Sequence, residues 1–145
     1  RKFKKHYQNI TINVKVPDEV LFVPMDAILI KQVLFNLLEN AAIHGKVTTQ
    51  IDLSVEKEND IVIFTVKDNG KGIAKEDFQF LFHEYFKKAE NNSETDNKKN
   101  MGIGLSVCNT IVKAHGGEMK AKNNRGNGAS FIFTLPLKEE EKNVH

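Results

Sequence analysis

The sequence has little cysteine, little net charge and no long hydrophobic run, and each absence narrows the class of protein. The one cysteine in 145 residues, Cys108, excludes an internal disulfide and is typical of a reducing compartment. Its apolar helical surroundings favour a small core residue. The formal net charge of +2 gives no reason to expect a nucleic-acid partner. No apolar stretch reaches the about 20 residues of a membrane-spanning helix, so we expect no membrane contact.

The length and composition predict one domain with a sizeable core. With 40% hydrophobic and 28% charged residues, the chain should fold without a metal or disulfide. We expect the domain at residues 1–137 and a charged, disordered tail at 138–145. No signal peptide is visible, and the chain begins at Arg1 instead of Met, so we expect it to be part of a longer protein.

The stretch from Asp26 to Gly45 predicts one amphipathic helix, with Asp26 as N-cap and Gly45 as the residue that ends it. Apolar residues at three- and four-residue steps form its inner side: Ala27, Ile30, Val33, Leu34, Leu37, Leu38 and Ala41. A second row is polar: Gln32, Asn36, Asn40 and His44. A single asparagine on a helix is usually only solvated. Two amides one turn apart offer a hard cation two neutral oxygen ligands, so this row could hold a magnesium nucleotide.

The rest of the chain predicts strands paired as hairpins, with helices between them. Apolar alternation predicts strands at 10–16 and 51–55, a run rich in β-branched residues predicts another at 61–66, and a short apolar run at 20–23 suggests a further one. We expect helices from about Lys75 and from Leu105 to His115, the second stopped by Gly116 and Gly117, and a closing hairpin at 118–122 and 129–135. Residues 87–100 nearly lack hydrophobics and predict a mobile loop that could act as a lid. The fold class is α+β: two layers, with a mostly antiparallel sheet covered on one face by helices.

Asp68-Asn69-Gly70-Lys71-Gly72 follows a predicted strand and forms a second candidate site. A carboxylate there can accept a hydrogen bond from an amine, while glycines let a flat ring approach the backbone. Adenine carries such an amine, whereas guanine would oppose the carboxylate with a carbonyl oxygen, so we expect a preference for adenine. The alternative is a plain Asp-Asn-Gly turn.

Gly102 and Gly104, just ahead of the predicted helix at Leu105, form a third candidate site. Free backbone N–H groups and the positive end of a helix dipole would suit phosphate oxygens. Lysines at either end of the predicted loop, Lys87, Lys88, Lys98 and Lys99, could approach the phosphates or simply be solvated. An ordinary loop-to-helix joint is the alternative.

These motifs together resemble the ATP-binding domain of histidine kinases. In chain order, 36–41, 68–73, 82–87, 102–105 and 126–128 resemble its N, G1, F, G2 and G3 boxes. The resemblance covers essentially the whole chain. Val23-Pro24-Met25-Asp26 leading into 29–34 is most similar to the potassium-responsive sensor kinases, which implies potassium or turgor sensing.

The resemblance implies a Bergerat ATP-binding fold, with a mixed sheet under three helices, and ATP and Mg²⁺ as ligands. It implies Asn40 as the magnesium ligand with Asn36 in support, Asp68 on the adenine amine, and Phe82 and Phe86 bracing the lid. The full implied ATP-binding set is Asn36, Asn40, His44, Asp68, Gly70, Gly72, Ile73, Phe86, Lys87, Gly102, Ile103, Gly104, Leu105, Gly128 and Ser130. It assigns no catalytic side chain to the chain itself.

Several positions depart from the family pattern. Ile43 stands where many of these kinases have a phosphate-contacting lysine, so that contact must be absent or supplied by another lysine. His44 fills a position that is often aromatic or basic, and either contacts ribose or base or lies on the surface. Lys87 replaces an arginine, and Ala129 replaces a hydroxyl residue beside Ser130. Asn36 stands where hydrolysing relatives such as gyrase and Hsp90 carry a catalytic glutamate, so we expect poor ATP hydrolysis.

The chain contains no histidine in the family's phosphoacceptor context. None of its five histidines is followed by the acidic, basic and proline residues typical of an acceptor. The resemblance therefore implies two partners, a helical dimerisation and phosphoacceptor domain of the same kinase and a response regulator, and a cytoplasmic location in a membrane-anchored sensor kinase. The alternatives are an ATP-driven clamp or anti-sigma-type serine kinase, and an interaction module with a degenerate pocket.

Overall fold

The computed structural model describes residues 9–17, 23–44, 48–82 and 93–137, with the backbone alone at 43–44, 79–80 and 93–103. The elements are β1 (Thr11–Lys15), α1 (Ala27–His44), β2 (Gln50–Glu58), β3 (Ile61–Asp68), a 3₁₀ helix (Lys75–Phe80), α2 (Ser93–Ala114), β4 (Met119–Asn123) and β5 (Ala129–Pro136). The predictions at 20–22, Gly45, 83–92 and 138–145 lie outside the described residues.

Within the described residues the strands form one five-stranded sheet in the order β1-β2-β3-β5-β4. β1 runs parallel to β2, and the other neighbouring pairs are antiparallel. Both predicted hairpins are present, since β2 pairs with β3 and β4 with β5. The mixed, mainly antiparallel sheet confirms the predicted α+β class.

The core lies between one face of the sheet and the two α-helices. Burial alternates along β3 and β5, as expected for strands with one covered face. At the centre, the rings of Phe64 and Phe133 stack with centroids 4.5 Å apart. The helices contribute fully or nearly fully buried side chains to the same cluster: Val33, Leu37, Ala41, Leu105, Cys108 and Val112. Cys108 is therefore a core residue, as predicted, and burial raises the pKa of its thiol to about 11.

The start of α1 is capped by Asp26, as predicted. Asp26 Oδ1 accepts hydrogen bonds from the backbone N–H groups of Ile28 and Leu29, both at 3.1 Å. His115 adds a contact that the sequence did not indicate: its Nε2 accepts the Asp26 backbone N–H at 3.0 Å, and its Nδ1 lies 2.8 Å from the Ile111 carbonyl oxygen. One imidazole thus ties the start of α1 to the end of α2.

We expect Asp26→Ala to lower the free energy of unfolding by about 1 kcal/mol, because two N–H groups of the first turn lose their acceptor. Asp26→Asn keeps a side-chain oxygen and should lower the free energy of unfolding by only roughly a few tenths of a kcal/mol. Denaturant unfolding of the two variants checks the difference. Equal losses would show that the capping oxygen contributes nothing.

The end of α2 confirms the predicted stop at Gly116 and Gly117. Gly116 has φ of +85°, and the Gly117 N–H bonds the Val112 carbonyl at 3.0 Å, which is the glycine-terminated helix ending. A Cβ on Gly117 would lie 1.7 Å from the Thr134 carbonyl oxygen, so only glycine fits where the chain passes β5.

The start of α2 corrects a prediction. We expected a loop over 87–100 and a helix from Leu105, yet α2 begins at Ser93. Residues 93–100 are therefore helical, and Gly102 and Gly104 lie within the helix and not ahead of its N-terminus. Hydrophobic periodicity detects only helices with an apolar face, and a polar, proline-free segment gives no such signal. In this conformation the N–H groups of Gly102 and Gly104 are not free to bind phosphate, because N–H groups inside a helix are already paired.

Two smaller differences concern the 3₁₀ helix and β1. The helix predicted from Lys75 is a short 3₁₀ helix, after which Leu81 is 1% exposed. β1 is less covered than its alternation suggested, since Val14 is 61% and Val16 60% exposed. Among the described strands β1 lies at an edge of the sheet and pairs with β2 alone, and Val16 follows the last residue of β1. In the described part of the chain, no helix is long and apolar enough to cross a membrane.

Candidate functional site

Asp68 is a buried carboxylate at the end of β3. Its side chain is 6% exposed. Oδ1 accepts the Gly70 N–H at 2.8 Å and the Ala129 N–H at 3.2 Å. Both described hydrogen bonds to the carboxylate use this one oxygen, which leaves Oδ2 available to a ligand.

The buried environment of Asp68 changes the pKa of its carboxyl group. Burial raises the pKa of the carboxyl above its ordinary value of 3.8, while the two backbone hydrogen bonds oppose this shift. A raised pKa means that ionising Asp68 costs folding free energy. The protonated carboxyl therefore favours the folded state. This stabilisation is fully present below the unfolded-state pKa and is lost as pH rises through the folded-state pKa. A buried carboxylate kept at such a cost is a functional-site candidate.

Gly128 packs directly against Asp68. Its φ is +87°, and a Cβ there would lie 2.0 Å from the Asp68 carbonyl oxygen and 2.8 Å from Oδ1. Only glycine allows this approach. The predicted G1 and G3 segments are therefore in contact, although about 60 residues separate them in the chain.

Asn124 and Ser130 form a hydrogen-bond network that reaches the backbone carbonyl of Asp68. Sequence reasoning did not identify this network. Asn124 Nδ2 donates to the Asp68 carbonyl oxygen at 3.1 Å and to the Asn127 carbonyl oxygen at 3.2 Å. The Ser130 hydroxyl donates to Asn124 Oδ1 at 2.6 Å, and Ser130 is 3% exposed. The described contact of Ser130 is thus with Asn124, and asparagines in a turn gave no signal beyond the turn itself.

Two further asparagines fix the neighbouring backbone. Asn69 Oδ1 accepts the N–H groups of Thr49 and Gln50 at 2.9 and 3.0 Å, which anchors the start of β2 beside the site. The Asn123 side chain accepts the Ile73 backbone N–H at 2.8 Å and donates to the Ile73 backbone carbonyl at 2.9 Å. The Asp68–Ile73 segment is therefore held on both sides.

The amide row of α1 forms the other half of the candidate site. Asn36 Nδ2 donates to the Cys108 sulfur at 3.7 Å. Asn40 Nδ2 is buried and has no hydrogen-bond partner in the described structure. No cluster of three acidic, histidine or cysteine residues that could hold a metal occurs among the described residues. No described hydrogen bond uses the Oδ1 of Asn36 or of Asn40, and amide oxygens of this kind fit a magnesium ion that takes most of its ligands from phosphate and water.

The structure brings part of the predicted set together. Asp68, Gly70, Gly72, Ile73, Gly128 and Ser130 form one connected cluster. Asn36 and Asn40 lie on α1, which packs against β3 and α2. Leu105 is fully buried in the core, so only its backbone could face a ligand, whereas Gly104 has open space beside it. Gly102 and Ile103 are described only as helix backbone. The side chains of Ile43 and His44, and the whole of Phe86 and Lys87, lie outside the described part of the structure.

The fold is that of an ATPase-type domain. Residues 25–139 match the family described as histidine kinase-, DNA gyrase B- and HSP90-like ATPase. The match covers well over half of the chain, and the chain therefore belongs to this family.

Sensor histidine kinases are the relatives it resembles. Sensor protein KdpD of Clostridium acetobutylicum is 35% identical over 136 residues, covering 94% of this chain and 15% of KdpD. Sensor histidine kinase WalK of Bacillus subtilis is 34% identical over 139 residues, covering 93% of this chain and 22% of WalK. The catalytic domain of histidine kinase ThkA, solved without nucleotide, superposes with a TM-score of 0.73 at 29% identity, covering 94% of this chain and 88% of that one.

These comparisons confirm the resemblance to histidine kinase ATP-binding domains and to KdpD. The chain spans 15% to 22% of the length of the two curated relatives, so it corresponds to one part of such proteins.

We expect adenosine binding to weaken as pH falls, at a pH above the ordinary aspartate value of 3.8, because the pKa of Asp68 is raised. A protonated Oδ2 would meet the adenine amine as one donor facing another. Over the same range the contribution of Asp68 to stability should increase, because the buried charge disappears. Titration calorimetry with adenosine, which has no phosphates to titrate, measures the first effect, and denaturant unfolding measures the second. Binding that stays constant down to the ordinary aspartate range would contradict the assignment.

Proposed function

We propose that this domain binds Mg-ATP and donates the γ-phosphate to a histidine on a separate helical dimerisation domain of a two-component sensor kinase. The observation that carries the proposal is the uncommitted Oδ2 of buried Asp68 beside Gly70 and Gly128. Family membership and the similarity to sensor kinases support it.

Asp68 selects the base in this proposal. Because Oδ1 is held by two backbone N–H groups, Oδ2 presents an acceptor in a fixed direction. The N6 amine of adenine supplies the matching donor, whereas the O6 of guanine would leave a buried carboxylate facing another acceptor. Gly70 and Gly72 let the ring lie against the backbone.

Asn40 and Asn36 hold the cation in this proposal. Asn40 Oδ1 would bind Mg²⁺, with Asn36 Oδ1 in support directly or through water, while the phosphates complete the shell. When bound, the ion supplies positive charge that stabilises the transferring phosphoryl group. The contact of Asn36 with Cys108 uses its Nδ2, so Oδ1 is the amide atom proposed to face the ion.

The chemistry assigned to this chain is positioning and not proton transfer. An amide at position 36 cannot take a proton from water, so the domain should retain ATP until an acceptor arrives. Gly102, Ile103, Gly104 and the Leu105 backbone are proposed to border the phosphates, with Lys87, Lys98 or Lys99 as a cation in place of the lysine missing at Ile43. His44 is proposed near ribose or base, and Phe82 and Phe86 at the base of a lid.

The proposed partners follow from the need for a phosphate-accepting histidine on another domain. We propose that the acceptor histidine lies on a helical domain of the same kinase and that a response regulator then receives the phosphate on aspartate. ATP supply places the domain on the cytoplasmic side. The similarity to KdpD supports potassium or turgor as the stimulus.

Radiolabelled transfer tests the proposal. The chain is mixed with Mg-ATP labelled in the γ-phosphate and with the helical domain of the same kinase, and label on that domain is followed with time. We expect phosphate that is lost in acid and retained in base, as a phosphohistidine requires. Acid-stable label would indicate a serine kinase, rapid release of free phosphate would indicate an ATP-driven clamp, and absence of nucleotide binding would indicate an interaction module. Each of these outcomes would overturn the proposal.

A further inference from the structure

The last residue of β4, Asn123, reaches the glycine-containing segment Gly70–Ile73 through its side chain. Its Oδ1 accepts the Ile73 N–H at 2.8 Å, and its Nδ2 donates to the Ile73 carbonyl at 2.9 Å. One carboxamide therefore satisfies both polar groups of a residue 50 positions away. A side chain that binds both backbone groups of a loop residue in this way takes the place of a backbone partner.

Gly72 makes this contact possible. It has φ of +85°, and a Cβ there would lie 2.9 Å from Asn123 Oδ1. A side chain at position 72 would therefore push the amide away from Ile73.

The neighbouring residue, Asn124, holds the other end of the segment, because its Nδ2 donates to the Asp68 carbonyl at 3.1 Å. Two adjacent amides at the start of the β4–β5 turn thus hold the two ends of Asp68–Ile73, the stretch that contains the proposed base contacts.

We propose that Asn123 is a positioning residue of the nucleotide site, which holds Gly70–Ile73 in the conformation that accepts the base. This inference rests on the proposed function. Asn123 does not touch the nucleotide in this account and acts through Ile73 and Gly72.

The physical reason is the freedom of glycine. A segment with two glycines samples many conformations unless something holds it. If only a fraction of molecules has the receptive conformation, the apparent dissociation constant rises by the inverse of that fraction. Releasing Ile73 should therefore weaken binding at the base end alone, by the same factor for adenosine, ADP and ATP, with and without Mg²⁺.

Titration calorimetry on two variants tests the inference. Asn123→Ala removes both hydrogen bonds and should weaken all three ligands about tenfold. Asn123→Asp keeps the size but places an acceptor against the Ile73 carbonyl, so it should bind no better than Asn123→Ala. The matched control is Asn13→Ala, which removes an asparagine bonded to Asp52 at the opposite edge of the sheet and should bind as the unchanged chain does. Full affinity in Asn123→Asp would overturn the inference, because packing alone would then suffice.

Amide hydrogen exchange without nucleotide gives a second readout. We expect the Ile73 N–H to exchange at least about tenfold faster in both Asn123 variants, with unchanged protection of Ile132 in the β4–β5 ladder. Unchanged exchange at Ile73 would overturn the positioning role of Asn123 alone. Unchanged affinity in Asn123→Ala, while Asp68→Asn loses binding, would do the same. If the unchanged chain bound no adenine nucleotide, the proposed function would fail, and exchange at Ile73 would decide whether Asn123 holds the segment.

Discussion

Asp68→Asn is expected to weaken ATP binding by about 3 to 4 kcal/mol, roughly 100- to 1,000-fold, without unfolding the domain. The carboxamide oxygen can still accept the N–H groups of Gly70 and Ala129, which places the amide nitrogen where Oδ2 now lies. The adenine amine would then meet a donor instead of an acceptor. Stability at neutral pH should stay the same or increase, because a buried charge whose pKa is raised has been removed.

The matched control for this substitution is Asp52→Asn. Asp52 lies on β2 and accepts hydrogen bonds from Asn13 and Gln50. Its substitution changes net charge equally and should leave ATP affinity as it is. Calorimetric titration of both variants with Mg-ATP makes the comparison, and equal affinities would remove Asp68 from the site.

Gly128→Ala is expected to destabilise the domain by about 3 to 5 kcal/mol. Part of this is the strain of a side chain at φ of +87°. The rest is overpacking, since the Cβ would lie 2.0 Å from the Asp68 carbonyl oxygen and the backbone must move. That movement would displace the carboxylate, so molecules that still fold should bind ATP poorly.

Gly126→Ala separates strain from contact. Gly126 also has positive φ, at +94°, but a Cβ there meets nothing within 4 Å. It should cost only about 1 to 2 kcal/mol and leave ATP affinity unchanged. Denaturant unfolding of the two variants measures the difference, and losses of equal size would mean that the approach of Gly128 to Asp68 is not tight.

Much of the fold could be predicted because its elements have apolar faces or marked ends. α1 has both, an apolar row and the Asp26 cap, while β2 has alternating apolar residues, β3 is rich in β-branched residues and β5 follows a glycine-containing turn. The first half of α2 could not be predicted, because residues 93–100 are polar and a polar helix has no hydrophobic period. The exposure of Val14 reflects the position of β1 at the edge of the described sheet, which alternation does not reveal.

The candidate site was predictable where a residue type has a specific chemistry. Asp68 at a strand end and the amides Asn36 and Asn40 one turn apart are such patterns. The supporting network was not predictable, because Asn123, Asn124 and His115 act on backbone groups that are distant in sequence. Side chains that bind the backbone in this way have no fixed spacing, and only the folded chain shows their partners.

A crystal structure of this chain with Mg²⁺ and a non-hydrolysable ATP analogue tests the central claim most directly. We expect Asp68 Oδ2 within about 2.7 to 3.2 Å of the adenine N6 amine and Asn40 Oδ1 about 2.0 to 2.1 Å from Mg²⁺, in the same pocket. A nucleotide bound elsewhere, or an adenine amine paired with a group other than Asp68, would contradict the account.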